Sequence, residues 1–435
     1  MPFFKKIKQN KTIENILSLG SATLLSAIFT FLVGVATRNI LGPKQYGYYL
    51  AISLAFTFIP LFQLGTLNAM NREVPFYLAR QNGERVQEIR NLTFSFLFTL
   101  PLFSVVLFIL ASISLFFFDI DQEYQTGILL TALISIFLFL SGYVEMFYKS
   151  EQNFRVASKL MFIKNVSQSI LTLILVLCIG YEGLFIGMLL ALIIEVYVGR
   201  KSFQKVKLIF DFEKYKDLVK TGFPILLVGL VWSIMIASDR IIIAIMMTPE
   251  DVGNYGIGML IFSSMMLLPQ VIGQVLYPKI VGLVSQKQYK EIKDYYWKIN
   301  KILALVMALI VFVGYLCIPY FIEFFMPEYV KGIQSAQILM LGIYPLTLVG
   351  FAANYFNSTD NQRVYLSIQV VSILSNAVLS LFLLRIDFSI NVIALATAFS
   401  FSLYFLLMNI VFIKKVNVDE VINSKISAVI NSKNN

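Results

Sequence analysis

The sequence predicts an all-α, polytopic membrane protein of about 12 transmembrane helices, arranged as two parallel-repeat six-helix bundles. Three observations predict it. The composition is too apolar for a water-facing surface, the apolar residues form long unbroken runs, and the second half of the chain repeats the first. Of 435 residues, 58% are hydrophobic and 14% are charged. Soluble domains carry roughly 45–50% apolar and about 25% charged residues. Here the charges are too few to cover a surface in water, so the bilayer must take water's place. Helices are then the spanning units, because each backbone N–H and C=O has to be satisfied inside its own segment. A β-barrel would show short stretches of alternating polarity, whereas Asn91 to Phe118 is one continuous apolar run.

A span needs about 20 apolar residues. On that criterion helices fall near 14–39, 47–70, 91–118, 125–147, 160–180, 184–201, 219–247, 253–276, 298–321, 333–355, 364–384 and 390–413. The stretch from about Ile13 to Ile40 is too long for the apolar core of a signal peptide and reads as a true span. The segment 184–201 is short and contains Glu195. In domain terms, 1–200 forms the N-terminal bundle, 201–218 a cytoplasmic linker, 219–413 the C-terminal bundle and 414–435 a cytoplasmic tail.

The formal charge of +10 would suggest nucleic acid in a soluble protein. Here it sits in short loops and reports topology, with no nucleic-acid partner implied. One side collects Arg72, Arg80, Arg85 and Arg90, then Lys149, Arg155, Lys159 and Lys164. It also collects Arg200, Lys201, Lys205, Lys207, Lys214, Lys216 and Lys220, and the run from Lys279 to Lys301. Lys5, Lys6, Lys8 and Lys11 at one terminus and Lys414, Lys415, Lys425 and Lys433 at the other fall on that side too. The opposite side has Arg38, Lys44, Lys331 and Arg385, and the loop from Asp119 to Glu123 carries only acids. Both termini should therefore be cytoplasmic and the helix count even, as for a multi-pass protein of a bacterial inner membrane. The outer loops are short and leave no periplasmic domain to hold an enzyme active site.

The repeat is read from three ordered matches. Gly20 to Leu25 resembles Gly222 to Leu227, an offset of 202; Pro43 to Tyr49 matches Pro249 to Tyr255 at Pro, Gly and the last Tyr, an offset of 206. Glu88-Ile-Arg90 matches Glu291-Ile-Lys293 at 203, with Pro75 and Pro278 preceding at the same distance. About six helices separate the copies, an even number, so the copies share one orientation. Two halves of this kind usually enclose a cavity and rock around it, which points to a transporter.

Few residues can carry chemistry. There is no histidine, and Cys178 and Cys317 lie inside apolar runs, so neither a metal site nor a disulfide framework is expected. Charges inside spans cost roughly 2.5–3.5 kcal/mol each and usually face a cavity. Asp239 and Arg240 lie eight to ten residues before Pro249, roughly 12–15 Å below the outer end at 1.5 Å per residue. Neighbouring side chains diverge by about 100°, which favours separate partners for the two. Arg38, five residues before Pro43, either snorkels to the interface or contacts an anion high in the cavity. Glu195 near Arg200 and Glu145 beside Lys149 read as structural pairs or interfacial residues near the cytoplasmic end, with a cavity role as the alternative. Among the prolines that interrupt spans, Pro60, Pro224 and Pro269 are candidate hinges. Gly183 and Gly187 have the spacing of close helix packing. No Gly-x-x-x-x-Gly-Lys-Ser/Thr motif is present, so transport would draw on an ion gradient, the membrane potential or consumption of product.

Arg38-Asn-Ile-Leu-Gly-Pro-Lys-Gln-Tyr-Gly47 resembles the signature of Wzx-type O-antigen flippases. These are polysaccharide-biosynthesis membrane proteins of the multidrug/oligosaccharidyl-lipid/polysaccharide exporter superfamily. Gly65 with Arg72 resembles the end of that family's second helix. Ser238-Asp239-Arg240 followed by Val252-Gly253-x-Tyr255 resembles its seventh helix and exit. The resemblance covers nearly the whole chain. It implies two six-helix bundles in a V, an undecaprenyl-diphosphate oligosaccharide as substrate, and translocation by alternating access with proton or sodium antiport. It implies no other cofactor. Arg38 and Arg240 would contact the anionic substrate, and Asp239, Glu195 or Glu145 the coupling ion. Membrane lipid would hold the polyprenyl tail, and a polysaccharide polymerase and chain-length regulator would be partners. A cation-coupled drug exporter of the same superfamily is the nearest rival. A polymerase or ligase is disfavoured by the missing periplasmic loop and histidine.

Overall fold

In a computed structural model the structure describes residues 11–118, 120–204, 206–359 and 361–433, without the side chains of 11–26, 28 and 424–433. The side chains of Lys5, Lys6, Lys8, Lys11, Asp119, Lys205, Lys425 and Lys433, and the Gly20 to Leu25 match, therefore lie outside the described residues.

The described residues form helices and no strands, in twelve successive segments. Gly42, at φ 72 and ψ 172, breaks the run Lys11–Ser53 into α1 (11–41) and the start of α2. The positive φ is cheap only for glycine. α2 (43–79) is itself broken where Leu64 and Gly65 turn left-handed after the 3₁₀ segment Ile59–Gln63, and Thr66–Ala79 is bent by 53° from the run Phe29–Gln63. There follow α3 (Gly83–Phe117), α4 (Gln122–Ser150), α5 (Phe154–Ile179) and α6 (Glu182–Val198). Then come α7 (Phe212–Met246), α8 (Pro249–Ser285) and α9 (Tyr289–Phe325). α10 (327–358) is bent by 44° between Pro327–Thr347 and Gly350–Ser358. α11 (Gln362–Leu383) and α12 (Ile390–Lys433) complete the set. Eight of these helices are individually long and apolar enough to cross a bilayer, and the two bent pairs pass the same test together. The chain is a multi-pass, all-α membrane protein.

Several helices overrun the apolar windows that revealed them. α9 starts nine residues before the window that opens at 298, and α8 ends nine residues after the one that closes at 276. Hydropathy marks only the part in hydrocarbon, whereas helical hydrogen bonding continues into water. Three turns of one design stop the overruns. Gln81, Gln152 and Lys287 each take φ 57. The next residue's N–H donates to the carbonyl five back: Asn82 to Tyr77 (3.0 Å), Asn153 to Tyr148 (2.9 Å) and Gln288 to Leu283 (3.0 Å). This is the helix-terminating bond that satisfies an orphan carbonyl. The side chains of Asn82 and Asn153 then cap the following helices. Gln81 and Lys287 occupy corresponding turns of the two halves, three residues out of step with the flanking matches at offset 203.

By contacts the chain divides into unit 1, residues 1–234 with 246–253, and unit 2, residues 235–245 with 254–435. In unit 1, α5 packs on α6 and on the run Lys11–Ser53, and α4 packs on α3 and α6. After α6 the connector runs through the 3₁₀ turn Arg200–Phe203 and is then extended. It is fastened to α3: Lys207 N–H donates to Asn91 Oδ1 (3.0 Å) and Ile209 N–H to Ser95 Oγ (2.8 Å). The Tyr215 hydroxyl then donates to Ile209 O (2.6 Å), and Tyr215 and Leu218 join the buried cluster around Val86, Ile89 and Phe96. Glu88, ahead of the apolar stretch that opens at Asn91, bonds Lys214 (2.6 Å) and Arg85 (2.5 Å). Lys214 and Arg85 hold its carboxyl below the usual carboxylate range.

Two places in unit 1 bring backbones together. A Cβ on Gly47 would lie 1.7 Å from Pro249 O, and one on Gly253 would lie 1.9 Å from Pro43 O. The contact is reciprocal, as two repeat copies related by a pseudo-two-fold would make it. Gly65 and Gly222 approach as closely, a Cβ on Gly222 falling 1.8 Å from Gly65 O. In unit 2, α12 packs on α10, α11 and α9. Beyond the apolar window its helix is held by Asp419, which accepts from Tyr355 (2.8 Å), and by a Lys293–Glu420 ion pair.

Candidate functional site: a buried aspartate network and a lysine shared by two glutamates

Asp239 lies on α7 in unit 2 and is 1% exposed. An ionised carboxylate in such a place needs donors, since an unpaired one would not stay charged. Tyr255 on α8 donates to Oδ2 at 2.5 Å, and the N–H of Arg240 donates to Oδ1 at 2.7 Å. The adjacent Ser238 hydroxyl reaches Met235 O (3.1 Å) and Asn376 Oδ1 (3.2 Å). Asn376 Nδ2 donates to Thr397 Oγ1 (3.0 Å), which donates to Ile393 O (2.9 Å). The carboxylate thus accepts from a hydroxyl and a backbone N–H, with the Arg240 guanidinium 3.9 Å away, and the neighbouring Ser238 links it to neutral oxygens of α11 and α12. That set suits a proton or a small monovalent cation better than a divalent metal, which draws several carboxylates. Among the described residues no three Asp, Glu, Cys or His side chains gather as a metal site.

The Arg240 side chain turns elsewhere. Its Nη2 donates to Ile236 O at 3.3 Å, and its Nε stays 3.9 Å from Asp239 Oδ1 and without a hydrogen-bond partner. Both the N–H and the guanidinium of Arg240 nevertheless stay within reach of Asp239, so the separate partners expected for these helix neighbours are found only in part. In unit 1 Arg38 is 5% exposed. Its Nη1 donates to Gly34 O at 2.9 Å, and the guanidinium stacks 4.2 Å from the Tyr46 ring. Arg38 and Arg240 are separated by 202 residues, the same offset as Gly20 and Gly222. Each arginine donates to the carbonyl four residues back, so the two are the same element in the two repeats.

Glu145 and Glu195 come together in unit 1, on a residue that the sequence offered only as a basic loop marker. Lys164 on α5 bonds Glu145 of α4 and lies 3.4 Å from Glu195 of α6. Lys149 adds a second bond to Glu145 at 3.0 Å. Glu195 is fully buried; one oxygen accepts from Ser141, and the other has no hydrogen-bond partner. Pro60 lies in the 3₁₀ segment just ahead of the break in α2. Pro224 and Pro269 lie inside helices that continue unbroken past them.

Tyr255, Asn376, Thr397 and Lys164 escaped sequence reasoning as site members. A signal existed for Tyr255, which marks the repeat, and for Lys164, which opens an apolar run. Only packing shows that either touches an acid.

Comparison with solved structures returns transporters and flippases of one fold. An inward-facing multidrug resistance MATE-family transporter of the MOP superfamily superposes with a TM-score of 0.77 over 91% of this chain and 95% of that one, at 12% identity. The lipid II flippase MurJ in an inward closed conformation gives 0.71 over 93% of this chain and 90% of that one, at 18% identity. An outward-facing MATE-family transporter gives 0.67 over 93% and 96%, at 12% identity. No curated protein sequence matches. Likeness at such identities establishes the fold. The family model described as polysaccharide biosynthesis protein, however, matches residues 12–284, well over half the chain and including Arg38, Glu145, Lys164, Glu195, Asp239 and Tyr255. On that match the chain belongs to the polysaccharide biosynthesis protein family.

Proposed function

We propose that the protein flips an undecaprenyl-diphosphate-linked oligosaccharide, an O-antigen or related repeat unit, from the cytoplasmic to the periplasmic leaflet of a bacterial inner membrane. Translocation is alternating access, driven by inward movement of a proton or sodium ion. The observation that carries the reading is the family match over residues 12–284, which spans the first-helix motif ending in Gly47. Arg38, near the end of α1, and Arg240, 202 residues later, serve the diphosphate or acidic sugars. Asp239, buried and bonded by Tyr255, takes the coupling cation. A polymerase and a chain-length regulator would receive the product.

The deciding experiment is complementation. The gene is deleted in its own host, surface polysaccharide is followed by gel, and lipid-linked repeat units are extracted from inverted vesicles. Loss of surface polymer with accumulation of units on the cytoplasmic leaflet supports flipping. Unchanged polymer with new sensitivity to cationic drugs supports the exporter reading, which the MATE-family neighbours favour.

Two variants refine the assignment. A hydrogen bond to a charged group contributes about 1.5–3 kcal/mol. Arg240→Ala should therefore reduce polymer export by about tenfold or more at unchanged protein level. Full export in both Arg240→Ala and Arg38→Ala would remove the arginines from the substrate path. Asp239→Asn keeps the shape of the network and cannot bear a charge. Transport in proteoliposomes should then lose its response to an imposed ion gradient while substrate binding persists; a retained response would exclude Asp239 as the coupling site.

A further inference from the structure

The α3 side chains that fasten the connector and the start of α7 are Glu88, Asn91 and Ser95. Glu88 bonds Lys214, and the other two accept the N–H groups of Lys207 and Ile209. At the repeat offset of 203 they correspond to Glu291, Asp294 and Lys298 on α9. The second half lays no connector across that face, because α12 runs on as helix through the equivalent stretch. Asn91 and Ser95 are buried, whereas Asp294 and Lys298 are exposed. With Tyr295 of α9 and Lys279 and Leu283 of α8, the three α9 residues line a crevice of about 220 Å³. That is room for roughly seven waters at about 30 Å³ each, or for a phosphate joined to a two-carbon amine.

The crevice stands at the height of lipid headgroups. Lys298 opens the apolar window of α9, and beyond it Ile302, Leu305, Leu309, Phe312 and Leu316 are exposed. Trp297, exposed beside Lys298, marks the level at which indole rings collect at a membrane surface. From Lys298 out to Glu291 is seven residues, roughly 10 Å of helix. The charges are sorted along that line. Lys298 is innermost. Lys279 follows, its ammonium 3.9 Å from the centre of the Tyr295 ring, which itself packs edge-on against Phe351. Asp294 comes next and Glu291 is outermost.

Solvated charges at a helix end are ordinary. These differ in being the uncovered copy of a face that is covered in the first repeat, and in their order. Two positions have also become cationic: Lys298 stands for Ser95 and Lys279 for Phe76. A peptide like the connector would bring N–H groups to the acids and no anion to the lysines.

We propose that this crevice binds the headgroup of phosphatidylethanolamine, a zwitterion whose phosphate lies next to the hydrocarbon and whose primary ammonium lies beyond. The phosphate accepts from Lys298 and Lys279. The ammonium donates to Asp294 and Glu291, in the place that Lys214 fills against Glu88. Phosphatidylglycerol would satisfy the lysines but offer the acids no cation. The lipid thus covers on α9 the face that the connector covers on α3.

The test uses the purified full chain in detergent, given equal amounts of phosphatidylethanolamine and phosphatidylglycerol with matched acyl chains. Retained lipid is counted by native mass spectrometry. The parent should hold phosphatidylethanolamine about tenfold better, the effect of one hydrogen bond between charged groups. Equal retention would overturn the proposal without recourse to any variant. Glu291→Gln with Asp294→Asn leaves both lysines in place and should reverse the preference toward phosphatidylglycerol. Lys279→Gln with Lys298→Gln should lower phosphatidylethanolamine retention by about tenfold. Lys287→Gln, in the turn outside the crevice, should keep the parent's preference. An unchanged preference in both double variants would put the lipid elsewhere and overturn the assignment. Soluble phosphoethanolamine has both charges and no tail, so it should compete only in large excess. Displacement at equal concentration would make the ligand a free metabolite, and a polypeptide held by the parent but lost from the acid-neutralised variant would make it a connector-like segment; either overturns the lipid site.

Discussion

Lys164→Met should destabilise the protein by about 3–5 kcal/mol, the cost of breaking a buried ion pair and leaving a charge behind. Lys164 is the cation that Glu145 and Glu195 share. The two acids do not lose equally when it goes. Glu145 keeps Lys149 at 3.0 Å, whereas Glu195, fully buried, keeps only the Ser141 hydroxyl. The penalty should therefore sit on Glu195, and Lys164→Met combined with Glu195→Gln should regain most of the lost stability. Adding Glu145→Gln instead should regain little. Thermal unfolding in detergent reads all three, and the pairwise differences form a double-mutant cycle. A Lys164→Met protein that melts with the parent would mean that the cluster contributes nothing to the folded state.

Gly47→Ala should also lower the melting temperature, against the usual sign for such a change. Replacing a helical glycine by alanine ordinarily stabilises by roughly 0.5–1 kcal/mol. Gly229, in α7, has open space around it and should show that gain. At Gly47 the new methyl would sit 1.7 Å from Pro249 O, and at Gly253 it would sit 1.9 Å from Pro43 O. The obstacles are backbone atoms, which cannot turn aside as a side chain would. The helices must separate, at a cost of about 1–3 kcal/mol or more, or roughly 2–4 °C per kcal/mol in a unit of this size. Gly253→Ala should behave alike, because the contact is reciprocal. A rise in melting temperature at Gly47, matching that at Gly229, would show that the elbows do not meet in the working protein.

The membrane helices are readable because hydropathy acts residue by residue, and a bilayer demands the same of every helix; the short Glu182–Val198 does not pass as a span by itself. The repeat was readable because glycine and proline are fixed by backbone geometry: Pro43, Gly47, Pro249 and Gly253 match in sequence for the reason that they touch in space. The same offset that joins Gly20 to Gly222 also joins Arg38 to Arg240, a correspondence that neither arginine shows alone. Helix ends were harder to place, because α8, α9 and α12 continue into water on hydrogen bonds that hydropathy does not register. Site partners were harder still. Lys164 lies 19 residues from Glu145 and 31 from Glu195, and nothing in the spacing of α4, α5 and α6 says which faces meet.

The fastened connector bears on the order in which the protein is made. As the chain leaves the ribosome, six helices have been inserted by residue 198, but the buried cluster around Val86, Ile89 and Phe96 is still open. It closes only when Val206 and Ile209 are laid across α3 and when Tyr215 and Leu218 arrive at the start of α7. Glycine contacts at Gly47 and Gly65 wait longer, for Pro249 and Gly222. The first repeat is thus a folding intermediate rather than a finished module, with an apolar flank exposed until the second repeat begins to emerge. A gene divided between residues 200 and 201 would strand that flank on the first fragment, whereas a division after Gly253 would close it but would take residues 235–245 away from unit 2.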